Sequence, residues 1–246
     1  MIPKTIHYCW FGRNPLPPLA IKCIESWKKH FPEYEIIEWN EDNFDINIIP
    51  YTKEAYEAKR YAFVSDYARF WILYHYGGLY FDTDVEVIKN MDDIIERGPF
   101  MGCEKDATDT SVASVAPGLG LGVCSHLSFY KEMLDLYSTL NFRKADGKLN
   151  LKTIVEYTTE VLLKHGLKLS NEIQFIEGIY IYPNVFFSPI NLITKRLHIT
   201  SDTRSIHHFA ASWVEPTFRK KIKLIIQKII PENILLIYNK LKHRNK

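Results

Sequence analysis

Asp82 and Asp84 stand one residue apart at the end of an apolar run, Tyr76-Gly77-Gly78-Leu79-Tyr80-Phe81-Asp82-Thr83-Asp84. Two converging carboxylates repel each other and call for a cation. Hard divalent ions take oxygen ligands, and they also hold phosphate oxygens. The chemistry on offer is therefore a metal-held diphosphate. Residues two apart on a strand share a side, so both carboxylates could face one site. A strand-end turn carrying two solvated acids is the plain alternative, because Asp-x-Asp is a short pattern.

Other side chains could join that chemistry. Asp66 and Arg69 are three apart on an expected helix and so are neighbours on one face. Read alone they are a surface ion pair. Their helix, however, leads directly into Gly77-Gly78 and the acidic strand end, where Arg69 could meet the same anion as the metal; arginine suits bidentate contact with phosphate or sugar oxygens. Trp10 follows a first strand and precedes Gly12, so it is either a core residue or a stacking platform for a planar ring. His207 and His208 are adjacent, and on a strand at most one of them faces a given site. An imidazole ligand beside carboxylates would favour manganese over magnesium. The glycines at 118, 120 and 122 lack the spacing of a dinucleotide fingerprint and read as a tight bend beside a bound sugar.

The elements that must position these residues begin strand, helix, strand, which is the pattern of a parallel sheet. Ile6 to Phe11 reads as a strand, Ile21 to His30 as a helix through Ile21, Ile24 and Trp27, and Tyr34 to Trp39 as a second strand. Residues 53–76 read as one long helix with Val64, Ala68, Trp71 and Ile72 on one stripe. Leu79 to Phe81 is a short buried strand, so Asp82 and Asp84 sit at its carboxyl end, where open α/β sheets bind ligands. Phe100 to Glu104 reads as a strand, 116–124 as a glycine-rich bend, and 125–138 and 151–165 as helices. Ile179 to Phe187 is aromatic and broken by Pro183, and Ile206 to Trp213 ends the body.

The 246 residues, 46% of them apolar, suffice for one large α/β domain. The net charge of +2 hides an asymmetry. Residues 216–246 hold nine basic residues and one acidic residue, a net of +8; the remaining 22 basic and 28 acidic residues leave 1–215 at −6. A mildly acidic body argues against a nucleic-acid partner. Cys9, Cys23, Cys103 and Cys124 form no CxxC pair, which argues against a zinc site or disulfide scaffold and for a reducing compartment. Pro3, Lys4 and His7 interrupt the start, so no signal peptide is read there. No stretch approaches the ~18 apolar residues of a bilayer span. The expectation is a cytoplasmic protein, peripheral on the inner face of the membrane.

Four blocks occur in order: Ile6-His7-Tyr8-Cys9-Trp10-Phe11-Gly12, Ser65-Asp66-Tyr67-Ala68-Arg69, Gly77-Gly78-Leu79-Tyr80-Phe81-Asp82-Thr83-Asp84 and His207-His208-Phe209-Ala210-Ala211-Ser212-Trp213. Together they resemble glycosyltransferase family 32, the DXD-motif sugar transferases that include bacterial capsular polysaccharide enzymes. The resemblance covers about 1–215 and implies an α/β protein of GT-A type, a single domain with a Rossmann-like, mostly parallel central sheet. It also implies a UDP-sugar donor, Mn2+ or Mg2+, and retention of configuration. By that resemblance Trp10 stacks on uracil beside the Cys9 backbone, and Ser65, Asp66 and Arg69 contact the donor. Tyr80 lies against the donor. Asp82 reaches the ribose and the metal, Asp84 ligates the metal directly, His207 is a late metal ligand, and Ser212 and Trp213 close over the diphosphate. Asp84 and Arg69 would carry the catalysis, with galactose the favoured sugar. Two alternatives stand beside this: a phosphatase of the haloacid dehalogenase type with Asp82 as nucleophile, and a non-catalytic membrane- or carbohydrate-binding protein.

The segment 216–246 bears on the acceptor. Ile222, Ile225, Ile226, Ile229 and Ile230 follow i, i+3, i+4, i+7, i+8, one apolar stripe flanked by Arg219, Lys220, Lys221, Lys223 and Lys228. Either this is a helical pair packed on the body, or it is a basic amphipathic tail lying on anionic lipid, as a lipid-linked saccharide acceptor would require. Deleting 217–246 should leave UDP-sugar hydrolysis largely intact and reduce co-sedimentation with anionic liposomes. Equal recovery of both forms in the supernatant would dismiss the membrane reading.

Overall fold

The computed structural model describes residues 1–108, 111–191, 194 and 196–210. In chain order the elements are β1 (Thr5–Cys9), α1 (Pro18–His30), β2 (Glu35–Trp39), α2 (Pro50–Glu57), α3 (Tyr61–Tyr76), β3 (Gly78–Tyr80), β4 (Val85–Val87), α4 (Asp92–Arg97) and β5 (Phe100–Lys105). They continue with β6 (Ser114–Val115), β7 (Leu121–Val123), α5 (Ser128–Ser138), α6 (Ile154–Lys164), β8 (Gln174–Ile176), β9 (Ile179–Tyr182), α7 (Asn184–Phe187) and β10 (Ser205–His207). The expected tail at 216–246, and with it the boundary at 215, lies outside the described residues.

The main sheet runs β2-β1-β3-β7-β5-β9-β8, with β6 paired to β5 off that path. β1 is parallel to β2 and β3, and β5 is parallel to β9. β7 is antiparallel to both β3 and β5, which sets those two in one direction. Five of the seven strands on the path therefore point the same way, and only β7 and β8 are reversed. This is the expected mostly parallel sheet.

Successive side chains leave a strand on opposite faces, and the core divides accordingly. Leu79, Phe81 and Phe100 pack with Trp27 and Ile24 of α1 and Ile94 of α4. Tyr80, Met101 and Cys103 face the opposite layer, with α2, α3, α5 and α6. Helices on both faces of a largely parallel sheet make the three-layer α/β arrangement. In α1 the buried stripe is Ala20, Cys23, Ile24 and Trp27, with proline at the first helical turn. Ile21, expected on that stripe, is exposed. α6 starts on a capping box, Thr153 with Glu156.

Several expectations need correction. The helix read over 53–76 is two helices, α2 and α3, because Lys59 adopts φ 56 and the chain turns at 58–60 without a glycine or proline to mark it. The stretch 116–124 is more than a bend, since it contributes β7 to the centre of the sheet. The aromatic run 179–187 is broken at Pro183 as expected, into β9 and α7. Of the stretch 206–213, Ile206 and His207 belong to β10, which pairs antiparallel with β4, His207 opposite Val85, and 211–213 lie outside the described residues.

One buried histidine ties the first strand to the turn before β3. His7 is 1% exposed; its Nδ1 accepts from Trp39 Nε1 at 3.1 Å, and its Nε2 donates to the Gly77 carbonyl at 3.1 Å. A side chain at Gly78 would stand 2.7 Å from the Thr5 carbonyl, so this crossing requires glycine. Burial pushes the His7 pKa down to about 4 from 6.5. The unfolded chain therefore takes up this proton first as pH falls. The His7 contribution is intact above about pH 6.5 and is lost progressively toward pH 4, by roughly 3 kcal/mol. Urea denaturation at pH 7 and pH 4 checks this: wild type should lose about 3 kcal/mol more than His7→Gln, which cannot titrate. Equal losses would remove His7 as the source.

Candidate active site

Helix geometry explains why Arg69 meets Asp82. From Gly77 back to Arg69 is eight residues of helix, about 12 Å at the usual rise. From Gly78 forward to Asp82 is four extended residues, about 13 Å. The chain reverses at Gly77, φ 66, so the two side chains arrive level with each other. Arg69 Nη2 lies 3.1 Å from Asp66 Oδ1 and 3.2 Å from Asp82 Oδ1, with an arginine side chain only 5% exposed. Its Nε donates to the Ser65 carbonyl at 3.1 Å, and its guanidinium covers the Tyr80 ring at 5.0 Å. The Tyr80 hydroxyl donates to Asp82 Oδ1 at 3.1 Å. The Asp66–Arg69 pair is thus a buried ion bridge and not the surface contact that the spacing alone allowed.

Asp82-Thr83-Asp84 occupies a turn between β3 and β4, closed by Val85 N donating to the Asp82 carbonyl at 3.0 Å. The strand alternation expected to align the two carboxylates does not apply there, yet both line one cavity. Pairing of β10 with β4 carries the late histidines alongside. His207 Nε2 is 3.0 Å from Asp84 Oδ1, whereas His208 Nε2 turns to Glu86 at 2.9 Å. The Ala210 amide donates to Asp84 Oδ2 at 2.8 Å.

The cavity measures about 540 Å3. It collects Cys9, Trp10, Ser65, Arg69, Asp82, Asp84 and His207. Asp66 and Tyr80 are not in its lining; they lie behind Arg69 and Asp82 as buried supports. Ser212 and Trp213 fall outside the described residues. Tyr61 and Phe209 also line the cavity. Nothing in the sequence pattern singles out Tyr61. Phe209, at φ 49 and with its ring 4.2 Å from that of His207, could have been suspected only from its place in the last block.

Charge is distributed unevenly around the cavity. Burial pushes the Asp66 carboxyl up to about 7, against the pull of Arg69. Burial also raises Asp82, again opposed by Arg69. At Asp84 burial is outweighed by the His207 contact and the Ala210 amide, which hold the carboxyl below its ordinary value. Burial works against the His207 cation, but Asp84 and Asp82 raise its pKa overall. Arg69 stays cationic: burial disfavours the charge, and Asp82 and Asp66 more than restore it.

Would these donors accept a divalent cation? The described His, Cys, Asp and Glu side chains form no group of three that could by itself hold a metal. Magnesium-type sites commonly use one or two carboxylates and take their other ligands from water and substrate phosphate, and the Asp82 and Asp84 oxygens on the cavity wall fit that arrangement. His207 adds an imidazole at 3.0 Å from Asp84 whose Nδ1 is buried without a partner among the described residues. Phosphatase chemistry fits less well, because Asp82 is already engaged by Arg69 and Tyr80 and no lysine is among the described lining residues.

Gly118 makes room for this cluster. A methyl group there would overlap Asp82 Oδ2 and stand 3.1 Å from Arg69 Nη1, while the Gly118 carbonyl accepts from the Asp82 amide at 3.1 Å. Gly118→Ala should therefore displace the Asp82 carboxylate with the fold retained, lowering turnover by about 100-fold. Steady-state kinetics beside thermal denaturation measures both effects, and near-normal turnover would show that the close approach is dispensable.

Residues 17–101 match the family described as a glycosyltransferase sugar-binding region containing a DXD motif. An uncharacterized glycosyltransferase of Acanthamoeba polyphaga mimivirus is 26% identical over 253 residues, covering 97% of this chain and 91% of that one. Inositol phosphoceramide mannosyltransferase 1 of Schizosaccharomyces pombe is 30% identical over 111 residues, 41% of this chain and 33% of the relative. The chain thus spans about a third of the length of that curated relative. A solved glycosyltransferase involved in glycosylation of the major capsid of PBCV-1 superposes with a TM-score of 0.50 at 11% identity, covering 92% of this chain and 100% of that one. That likeness concerns the fold, which is of GT-A type. Asp82-Thr83-Asp84 falls inside the matched region, so residues 17–101 are similar to the DXD-motif glycosyltransferases.

Proposed function

We propose that this protein is a retaining, metal-dependent glycosyltransferase that moves a hexose, galactose favoured, from a UDP-sugar to a lipid-linked saccharide in bacterial capsular or surface polysaccharide synthesis. The observation that carries the reading is the convergence of Asp82, Asp84, Arg69 and His207 on one cavity that Trp10 also lines. Asp82, Asp84 and His207 would supply part of the coordination of Mn2+ or Mg2+, with the diphosphate and water supplying the rest. When bound, that cation neutralises charge building on the departing diphosphate. Arg69, fixed by Asp66 and Asp82, presents the only described cationic guanidinium in the lining to the same oxygens and needs no reorganisation to do so. Trp10, its Nε1 donating to the Asn14 carbonyl at 2.6 Å, offers a ring face at the mouth for the nucleobase. The acceptor hydroxyl then approaches the sugar from the side the phosphate leaves. Asp66 lies buried behind Arg69 and Asp82 is committed to Arg69 and Tyr80, so neither is assigned as nucleophile.

A mannosyl donor is the second reading, favoured by the fission-yeast relative named for mannosyl transfer to inositol phosphoceramide. That name also supports a lipid acceptor. No described helix is long and apolar enough to cross a membrane. The isoleucine stripe and flanking basic residues of 216–246 support that segment as the contact with a lipid surface.

Hydrolysis of a panel of UDP- and GDP-sugars in the presence of Mn2+ tests the proposal, and UDP-galactose turnover against GDP-mannose turnover separates the two readings. Asp84→Asn should cut turnover by about two to three orders of magnitude, with circular dichroism and thermal midpoint close to wild type. Near-normal turnover of that variant in manganese would sink the metal assignment.

A further inference from the structure

The segment from Trp10 to Pro17 has neither helix nor strand, yet Trp10, Phe11, Asn14, Pro15 and Pro17 all line the cavity. What fixes it is a short list of contacts, and most of them reach the turn after β2. The Trp10 amide donates to the Trp39 carbonyl at 2.8 Å. Arg13 pairs with Asp42 at 2.6 Å, but both side chains are more than 60% exposed, where such pairs contribute little. Glu41 is different. Its Oε1 accepts from the Gly12 amide at 2.6 Å and from the Tyr56 hydroxyl at 2.9 Å. Its Oε2 is buried with no partner among the described residues. A carboxylate kept half out of water with one oxygen unsatisfied calls for an explanation, and the two donors on Oε1 supply one.

We propose that Glu41 is a positioning residue of the donor site, a single carboxylate oxygen that fastens the Trp10 segment to α2 across the cavity mouth. Three features converge on it. Gly12, at φ 97, passes so close to Tyr61 that a side chain there would overlap the ring. Tyr61 lines the cavity, and its ring packs on that of Tyr56 at 5.3 Å. Glu41 thus holds the Gly12 amide above Tyr61 and the Tyr56 hydroxyl beside it, so the wall carrying Trp10 and the wall carrying Tyr61 keep a set separation. Glu41 touches no substrate in this account; it acts through Gly12 and Tyr56. The consequence for ligand binding rests on the donor reading above, whereas the positioning itself does not.

Two variants separate geometry from charge. Glu41→Gln keeps the acceptor oxygen and the reach and loses the charge. Glu41→Asp keeps the charge but is one methylene too short to meet both donors. Amide hydrogen exchange on the full chain should show Gly12 exchanging about tenfold faster in Glu41→Asp and within about threefold of wild type in Glu41→Gln, with β1 and α3 amides unchanged. Calorimetric titration with UDP and Mn2+ should show the same order, a roughly tenfold loss of affinity in Glu41→Asp and rescue in Glu41→Gln. Gly12 protection that is unchanged in Glu41→Asp, or lost in Glu41→Gln, overturns the proposal. If wild type binds no UDP while Gly12 protection follows Glu41 as stated, the positioning stands and the donor reading fails.

Discussion

The buried guanidinium of Arg69 is the interaction on which the site depends. Two carboxylates from different elements, Asp66 one helical turn earlier and Asp82 past the end of β3, meet on it. Such a cluster is costly to bury, and removal of any one member leaves a charge without its partner. The surrounding contacts lessen that cost: the Ser65 carbonyl takes Nε, the Tyr80 ring lies under the guanidinium, and the Tyr80 hydroxyl satisfies Asp82. The result is a cation whose position is determined from several sides before any anion arrives, which is the condition under which a fixed charge stabilises a transition state well.

The second constraint is topological. Asp84 would be a solvated turn residue if β10 did not return to pair with β4, bringing His207 and the Ala210 amide to its two oxygens. Arg204 secures that return. It is 7% exposed, its Nη2 meets Asp93 of α4 at 2.8 Å, and its carbonyl accepts from the amides of Ile88 and Lys89. A segment some 120 residues distant in sequence thus completes a cluster whose acidic half is local.

Much of this was legible in the sequence because the relevant patterns are short-range. Asp82 and Asp84 follow an apolar run and a glycine turn, Asp66 and Arg69 are one helical turn apart, and adjacent histidines must diverge, as His207 and His208 do. What was not legible depends on distant packing. Asp66 and Tyr80 sit behind the cavity wall because α3 and β3 press together there, and no local pattern reports that depth. The break at Lys59 has no glycine or proline to announce it, and β7 hides in a glycine-rich stretch because Gly122 accommodates the Phe100 ring from the neighbouring strand. Ile21 fits a helical period yet points outward, since Ala20 and Cys23 take the places facing the sheet.

If the acidic turn and Arg69 together form a site for a cation and a nucleoside diphosphate, the two ligands must bind cooperatively. Electron paramagnetic resonance of Mn2+ titrated into the full chain, with and without UDP, tests it most directly. One Mn2+ per chain should bind weakly alone and markedly tighter with UDP, because the carboxylates supply only part of the coordination and the phosphates the rest. Manganese binding indifferent to UDP, or UDP binding indifferent to manganese, would contradict it.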